Sequence, residues 1–286
     1  MHRRGYGDPT FGTDETGAIW RACLTPEGAA TMRVAWRSDP LAGTNVAAAA
    51  WGEGAGWLLA SLPALLGAND RPEDFVAGHP VLREVARRHA GLRIGQSGLV
   101  LQSLVPAVLE QKVVGKEASR AWRTLLRRFG EPAPGPAPAG MRVPPTPRGW
   151  AAIPSWEWHK AGVEAVRAAT IASAARVADR LERLVGLPPD GADRQLRSLA
   201  GIGPWTSAEV RQRACGDADA VSVGDYHLPA QVGWALAGRA VDDAGMLELL
   251  EPYRGHRHRA SLLAAMSGAG PPRRGPRVAA RDYRAI

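Results

Sequence analysis

An α+β chain is expected, with a small antiparallel sheet near the N-terminus followed by an all-helical domain. Three observations carry that expectation. Period-two alternation fills the early residues, helical spacing takes over after about Gly91, and Gly and Pro punctuate the early segments closely enough for short antiparallel strands. At 286 residues the chain holds one large domain or two modest ones, each with a real core. The division expected is a sheet domain over 1–90, a helical domain over 91–270 and a basic, disordered tail over 271–286.

In the first part, Met32, Val34 and Trp36 alternate with Thr31, Arg33 and Arg37, the period of a half-buried strand. Ala18 to Leu24 alternates likewise and puts Trp20, Ala22 and Leu24 on one face. Asn45 to Trp51 and Gly56 to Ala60 are further short candidates, the second running into a helix toward Leu66. Beyond Gly91, Leu99, Leu101, Leu104, Val108 and Leu109 form an apolar stripe, and Trp122, Leu125, Leu126 and Phe129 form another. Residues 130–147 (GEPAPGPAPAGMRVPPTP) are a Pro/Gly-rich connection, expected to be an extended, mobile surface loop inside the helical domain. Helices are then expected over Lys160 to Ala174, Arg176 to Val185 and Arg194 to Ala200, from Pro204, and near Pro229 to Ala237 and Arg257 to Met266.

Composition narrows the function. No run of eighteen uncharged apolar residues is present, so no membrane span is expected, and the first fifteen residues lack the apolar stretch of a signal peptide. Only Cys23 and Cys215 occur, which excludes a cysteine-ligated iron–sulfur cluster or Cys-rich zinc module and fits a reducing cytosol. Net charge is +8. Residues 1–90 carry nine Arg against ten acidic residues, so an anion-binding face belongs to the later two thirds, with 27 basic to 18 acidic residues. A GC-rich genome would give the same Arg-rich composition, so charge opens the nucleic-acid reading without proving it.

The most informative stretch is 195–233, QLRSLAGIGPWTSAEVRQRACGDADAVSVGDYHLPAQVG. A helix ends near Ala200, Gly201-Ile202-Gly203 turns, and Pro204 opens a second helix at its favoured first position. Two glycines two apart allow positive φ and close approach of an outside group to their amides. Those amides, the start of the second helix, and the Thr206 and Ser207 hydroxyls suit a backbone phosphate held without regard to sequence. Ile202 is expected to lock the hairpin by packing between the helices.

This segment resembles the helix-hairpin-helix signature of the DNA glycosylase superfamily that includes endonuclease III, in the form L-x-G-I-G-x-x-T-A. In that superfamily an aspartate follows the hairpin by some twenty residues, where VSVGDYHLP places Asp225. An upstream element, roughly I-L-x-Q-x-V-x-x-x-x-A, is matched by VLEQKVVGKEA, Val108 to Ala118. The chain is most similar to the 3-methyladenine DNA glycosylase II type, which has a small β-containing domain before an all-helical one. The resemblance is densest over 99–118 and 196–228.

It implies a DNA base-excision repair enzyme, monofunctional and acting on alkylated purines flipped out of damaged double-stranded DNA. Bifunctional members place a lysine nucleophile directly before the hairpin Thr; here Trp205 stands there, so no Schiff base forms at that position and no lyase activity is expected. Asp225 is then the catalytic group, stabilising positive charge as it grows on the sugar. It also suits a helix N-cap, and the two roles are compatible. Relatives fill the gap left by the flipped base from the Q-x-V loop, so Gln111, Lys112 and Val113 are DNA-binding candidates alongside Gly201, Ile202, Gly203, Thr206 and Ser207. Lys112 stands where relatives carry an apolar wedge; Val113 or Val114 could take that part, and Lys112 could equally be a surface phosphate contact.

Trp205 and Tyr226 are base-pocket candidates, each with a core role as its alternative. Relatives often add an aromatic from the final helix, where Met266 is the nearest equivalent here. His227 is read as a polar pocket or capping residue. His256 and His258 among Arg254, Arg257 and Arg259 are read as phosphate contacts or a solvated face. Asp217 and Asp219 are read as solvated, Asp242 and Asp243 as helix caps. No organic cofactor or metal is expected, beyond the monovalent cation that the resemblance implies on hairpin backbone carbonyls. The protein is expected to be a cytoplasmic, nucleoid-associated monomer. The rival readings are a glycosylase for deaminated or bulkier lesions, and a non-catalytic damage-binding protein.

Overall fold

The computed structural model describes residues 2–39 and 43–270; the expected tail over 271–286 lies outside them. Two compact units are present, one from 2–62 with 101–182 and one from 63–100 with 183–270. The strands of the N-terminal sheet end at Gly52 and helices begin at Ala55, well before residue 90, and each unit draws on chain from both sides of residue 90.

In the first unit, β1 (Phe11–Thr13), β2 (Ile19–Thr25), β3 (Gly28–Asp39) and β4 (Gly43–Gly52) form an antiparallel sheet in sequence order. The alternation in β2 suggests one covered face, but both are covered: Trp20, Ala22, Arg21 and Cys23 are all buried. One side packs Trp20 and Ala22 with Met141 and Val143, while on the other Gln102 of the helix Val100–Leu109 reaches the Cys23 sulfur at 3.9 Å. At the far end the alternation fails differently. Trp36 pairs with Val46 across β3 and β4, and both are exposed.

The Pro/Gly-rich segment is packed on the sheet rather than loose within a helical domain. Its ends pair as β5 (Glu131–Pro132) and β6 (Arg142–Val143), and Ala133, Ala137 and Met141 pack against the stacked Trp20–Trp51 pair. Gly135, at φ +76°, lies so close to Trp51 that a Cβ would come within 2.4 Å of its ring. Trp122, Trp150 and Trp158 stack in a buried row with centroids 6.1 and 6.0 Å apart.

The second unit closes around Leu82 and Val85 of the helix Pro80–Arg88, Val232 and Ala235 of Leu228–Ala237, Met246 and Leu250 of Asp243–Leu250, and Leu263 and Ala264 of Arg257–Met266. Burying these side chains is the main stabilising contribution, about 1.5–3 kcal/mol for each large one. Asp242 caps its helix as expected, accepting from Gly245 N–H at 2.9 Å. The helix Arg257–Met266 is not the solvated or phosphate-binding face that its charges suggest. Arg259 and His258 are buried, Arg259 pairs with the Asp70 carboxylate, whose side chain is covered, and Arg257 pairs with Asp219. Burial first, then the positive charges of Arg213 and Arg259, pushes the His258 pKa down to about 3.

Candidate active site: a glycine hairpin and a fixed carboxylate

The hairpin consists of the helices Pro189–Arg197 and Pro204–Val210 joined by Ser198–Gly203. Gly201 adopts φ +85°, a left-handed value that favours glycine, whereas Gly203 sits at φ −94°, open to any residue. Only one of the two glycines is therefore required by the turn itself. A Cβ added at Gly203 would meet nothing within 4 Å, so its missing side chain leaves open space outside the hairpin. Ile202 is buried between the helices, as its apolar side chain requires.

The two hydroxyls expected at an anion site are turned inward. Ser207 is fully buried and its Oγ donates to Asp193 Oδ1 at 2.6 Å, tying the second helix to the first, and Thr206 is buried as well. The opening turn of a helix also has N–H groups without intrahelical acceptors.

Asp225 lies twenty residues beyond Trp205, and the chain between them is pinned to the hairpin's second helix. Arg211 pairs with Asp217, Gln212 Nε2 donates to Ala220 O and Ser222 Oγ, each at 2.9 Å, and Ser222 Oγ donates to Glu209 Oε1 at 2.7 Å. Asp217 is thus a buried partner rather than a solvated one. Asp219 likewise accepts from Gly255 and Arg257 N–H, capping a helix, and its carboxyl is held below the usual range by Arg257 despite partial burial. Glu209, Gln212 and Ser222 had no local signal in the sequence, because each matters only through its spatial partner.

The Asp225 carboxylate is half-buried and held from three sides. Oδ1 accepts from His227 N–H at 2.8 Å and Leu228 N–H at 2.9 Å, the geometry of an N-cap on the helix Leu228–Ala237. Oδ2 accepts from the Trp205 indole at 3.0 Å. Trp205 thereby joins the site as a direct partner of the carboxylate rather than as a demonstrated pocket wall or a plain core residue. All three partners donate, so the group is fixed in direction as an acceptor, able to face growing positive charge.

Tyr226 stands 83% exposed, edge-on to the exposed His227 at 4.8 Å. Met266 is partly buried and packs against the core of the unit. A cleft of about 820 Å³ in this unit is lined by Asp193, Arg211, Asp217, Asp219 and Arg257, not by Asp225. Within it Arg211 pairs with Asp193 and Asp217, and Arg257 with Asp219.

In the other unit, Gln111, Lys112 and Val113 form the turn between Val100–Leu109 and Gly115–Phe129, with Lys112 exposed at φ +55°.

The fold is that of the helix-hairpin-helix DNA glycosylases. The chain superimposes on a 3-methyladenine DNA glycosylase from Archaeoglobus fulgidus with TM-score 0.74 and 20% identity, covering 90% of this chain and 88% of that one. An 8-oxoguanine glycosylase/lyase from Clostridium acetobutylicum aligns with TM-score 0.67 and 11% identity, over 91% and 88%. By sequence, a probable bifunctional transcriptional activator/DNA repair enzyme AlkA from Mycobacterium tuberculosis is 32% identical over 168 residues, 57% of this chain. The chain spans about a third (34%) of the length of that curated relative. No protein-family model matches.

Proposed function

We propose that the protein is a DNA glycosylase of base-excision repair that hydrolyses the N-glycosidic bond of alkylated purines, of the 3-methyladenine type, flipped out of duplex DNA. The observation that carries this reading is the Asp225 carboxylate, oriented by Trp205, His227 and Leu228 and linked to a glycine hairpin with open space beside Gly203. The hairpin amides hold a backbone phosphate and fix register without reading sequence. As the glycosidic bond breaks, positive charge grows on the deoxyribose, and a fixed carboxylate stabilises that state more than the ground state. An alkylated, cationic purine leaves as a neutral base, water adds at C1′, and the proton released passes to solvent or to the carboxylate.

Trp205 occupies the position at which bifunctional relatives carry lysine, and an indole is no imine-forming nucleophile. Hydrolysis without strand cleavage follows at this site, and the reaction needs no organic cofactor. The monovalent cation implied by the resemblance would be held by backbone carbonyls of the hairpin, two of which also accept hydrogen bonds within it. Leu199 O accepts from Ile202 N–H at 3.1 Å and Gly203 O from Ser207 N–H at 3.0 Å.

The test is incubation of the protein with duplexes carrying methylated, deaminated or bulky lesions, scoring breaks with and without alkali. Free base from the methylated duplex and breaks only after alkali are expected. Breaks without alkali would overturn the hydrolytic reading, and binding without base release would favour a damage-binding protein.

Gly203→Val tests the phosphate anchor separately from folding. Its φ and open surroundings admit the side chain, so the melting temperature should stay within a degree or two of wild type. Kd for undamaged duplex should rise about tenfold, roughly 1.4 kcal/mol, alike on unrelated sequences. A loss confined to some sequences, measured by fluorescence anisotropy, would contradict a phosphate contact.

A further inference from the structure

Lys112 is the one non-glycine residue at positive φ among the described residues. A left-handed conformation costs a side-chain-bearing residue about 1 kcal/mol or more and persists where the surroundings impose it. Those surroundings are unusually explicit. Arg167, only 4% exposed, comes from the helix Ala165–Arg176 and donates through Nη1 to Leu109 O at 2.8 Å, at the C-terminal end of the helix that enters the turn. Arg4, 8% exposed, grips the same helix from the N-terminal segment. Its guanidinium donates to Ser103 O at 3.4 Å and forks onto the Glu110 carboxylate at 3.2 and 3.3 Å.

The same N-terminal segment then crosses to the helix that leaves the turn. Arg123 donates to Tyr6 O at 2.9 Å. Asp8, itself buried, accepts from Trp122 Nε1 at 2.8 Å through Oδ1 and from Arg4 N–H at 2.7 Å through Oδ2. Gly5, at φ +76°, lies so near Ser119 that a Cβ would come within 2.5 Å of its Oγ. Residues 4–8 therefore strap the helices on both sides of the Gln111–Val114 turn, with Arg167 as a second tie. Buried arginines are weak stabilisers, since hydrophobic replacements of similar volume are often neutral. Fixing geometry is the better account of why two guanidinium groups are buried here.

We propose that Arg4, Asp8 and Arg167 are positioning residues that preset the Gln111–Val114 turn to enter the duplex, so that Lys112 and Val113 fill the space of a flipped nucleotide without ordering on contact. Preorganisation removes an entropic cost that would otherwise fall on flipping. The proposal rests on the glycosylase reading.

The experiment compares Arg167→Met, Arg4→Met and Arg167→Lys with wild type. Single-turnover excision is measured on two duplexes, one with the methylated base normally paired and one with it opposite an abasic analogue, where little unstacking is needed. A neighbouring 2-aminopurine reports flipping by fluorescence. The two Met variants should excise about tenfold more slowly from the paired duplex, with a reduced 2-aminopurine signal. On the pre-opened duplex they should stay within about twofold of wild type, and Arg167→Lys should recover most of the paired rate. An equal loss on both duplexes, or no loss on either, overturns the positioning role while wild-type excision upholds the glycosylase reading. A wild type silent on both duplexes overturns that reading and the proposal with it. If Arg167→Met does not fold, Arg4→Met and Arg167→Lys carry the same comparison.

Discussion

Asp225→Asn should abolish base release while leaving duplex binding intact. The carbonyl oxygen of Asn can still accept from His227 and Leu228 N–H, so the N-cap of the helix Leu228–Ala237 survives. Its amide nitrogen would then face the Trp205 indole, donor against donor, and the negative charge is gone. Removing one preorganised electrostatic group from a transition state costs about a hundredfold to a thousandfold. Here the charge itself disappears, so a loss at or beyond the upper end of that range is expected in single-turnover excision. Binding to undamaged duplex should change by less than about twofold, because the phosphate contacts assigned to the hairpin carry that affinity. Turnover equal to wild type would remove Asp225 from the reaction.

This carboxylate and its hairpin were legible in the sequence because their signals are local. Gly-x-Gly followed by Pro marks a turn and a helix start within four residues, and Asp before a helix is a recognisable cap. Features decided by partners far along the chain were not legible. The Ser207 hydroxyl faces inward because Asp193 stands on the opposite helix of the hairpin, and nothing in T-S-A-E foretells that. R-G-H-R-H-R over 254–259 reads as a solvated run, yet His258 and Arg259 are buried and Arg257 is tied to Asp219. Proline and glycine between 130 and 147 suggest looseness, and only the Trp20–Trp51 stack beneath explains why the segment is packed. Trp205 was suspected for its ring, whereas its contact with Asp225 is made through the indole N–H.

Asp70→Ala should be among the most destabilising single changes in the chain. Asp70 and Arg259 are 189 residues apart, and their side chains are 2% and 3% exposed. Asp70 Oδ1 accepts from the Arg259 guanidinium, and Oδ2 accepts from Ile94 N–H at 2.9 Å. Truncation would leave a buried positive charge without its counter-ion beside His258, whose pKa burial and the neighbouring Arg213 and Arg259 already push down. Breaking one side of a buried pair costs about 3–5 kcal/mol. The urea midpoint should fall correspondingly, with the m-value unchanged. The helix Arg257–Met266 shares its core with Leu228–Ala237, the helix that Asp225 caps, so excision should fail at the same lowered temperature as the fold. Replacing both partners, Asp70→Leu with Arg259→Met, should recover most of the loss, because an apolar pair of similar volume needs no desolvated charge. A single Asp70→Ala variant within about 1 kcal/mol of wild type would show that water reaches Arg259 and that the pair is not a buried one.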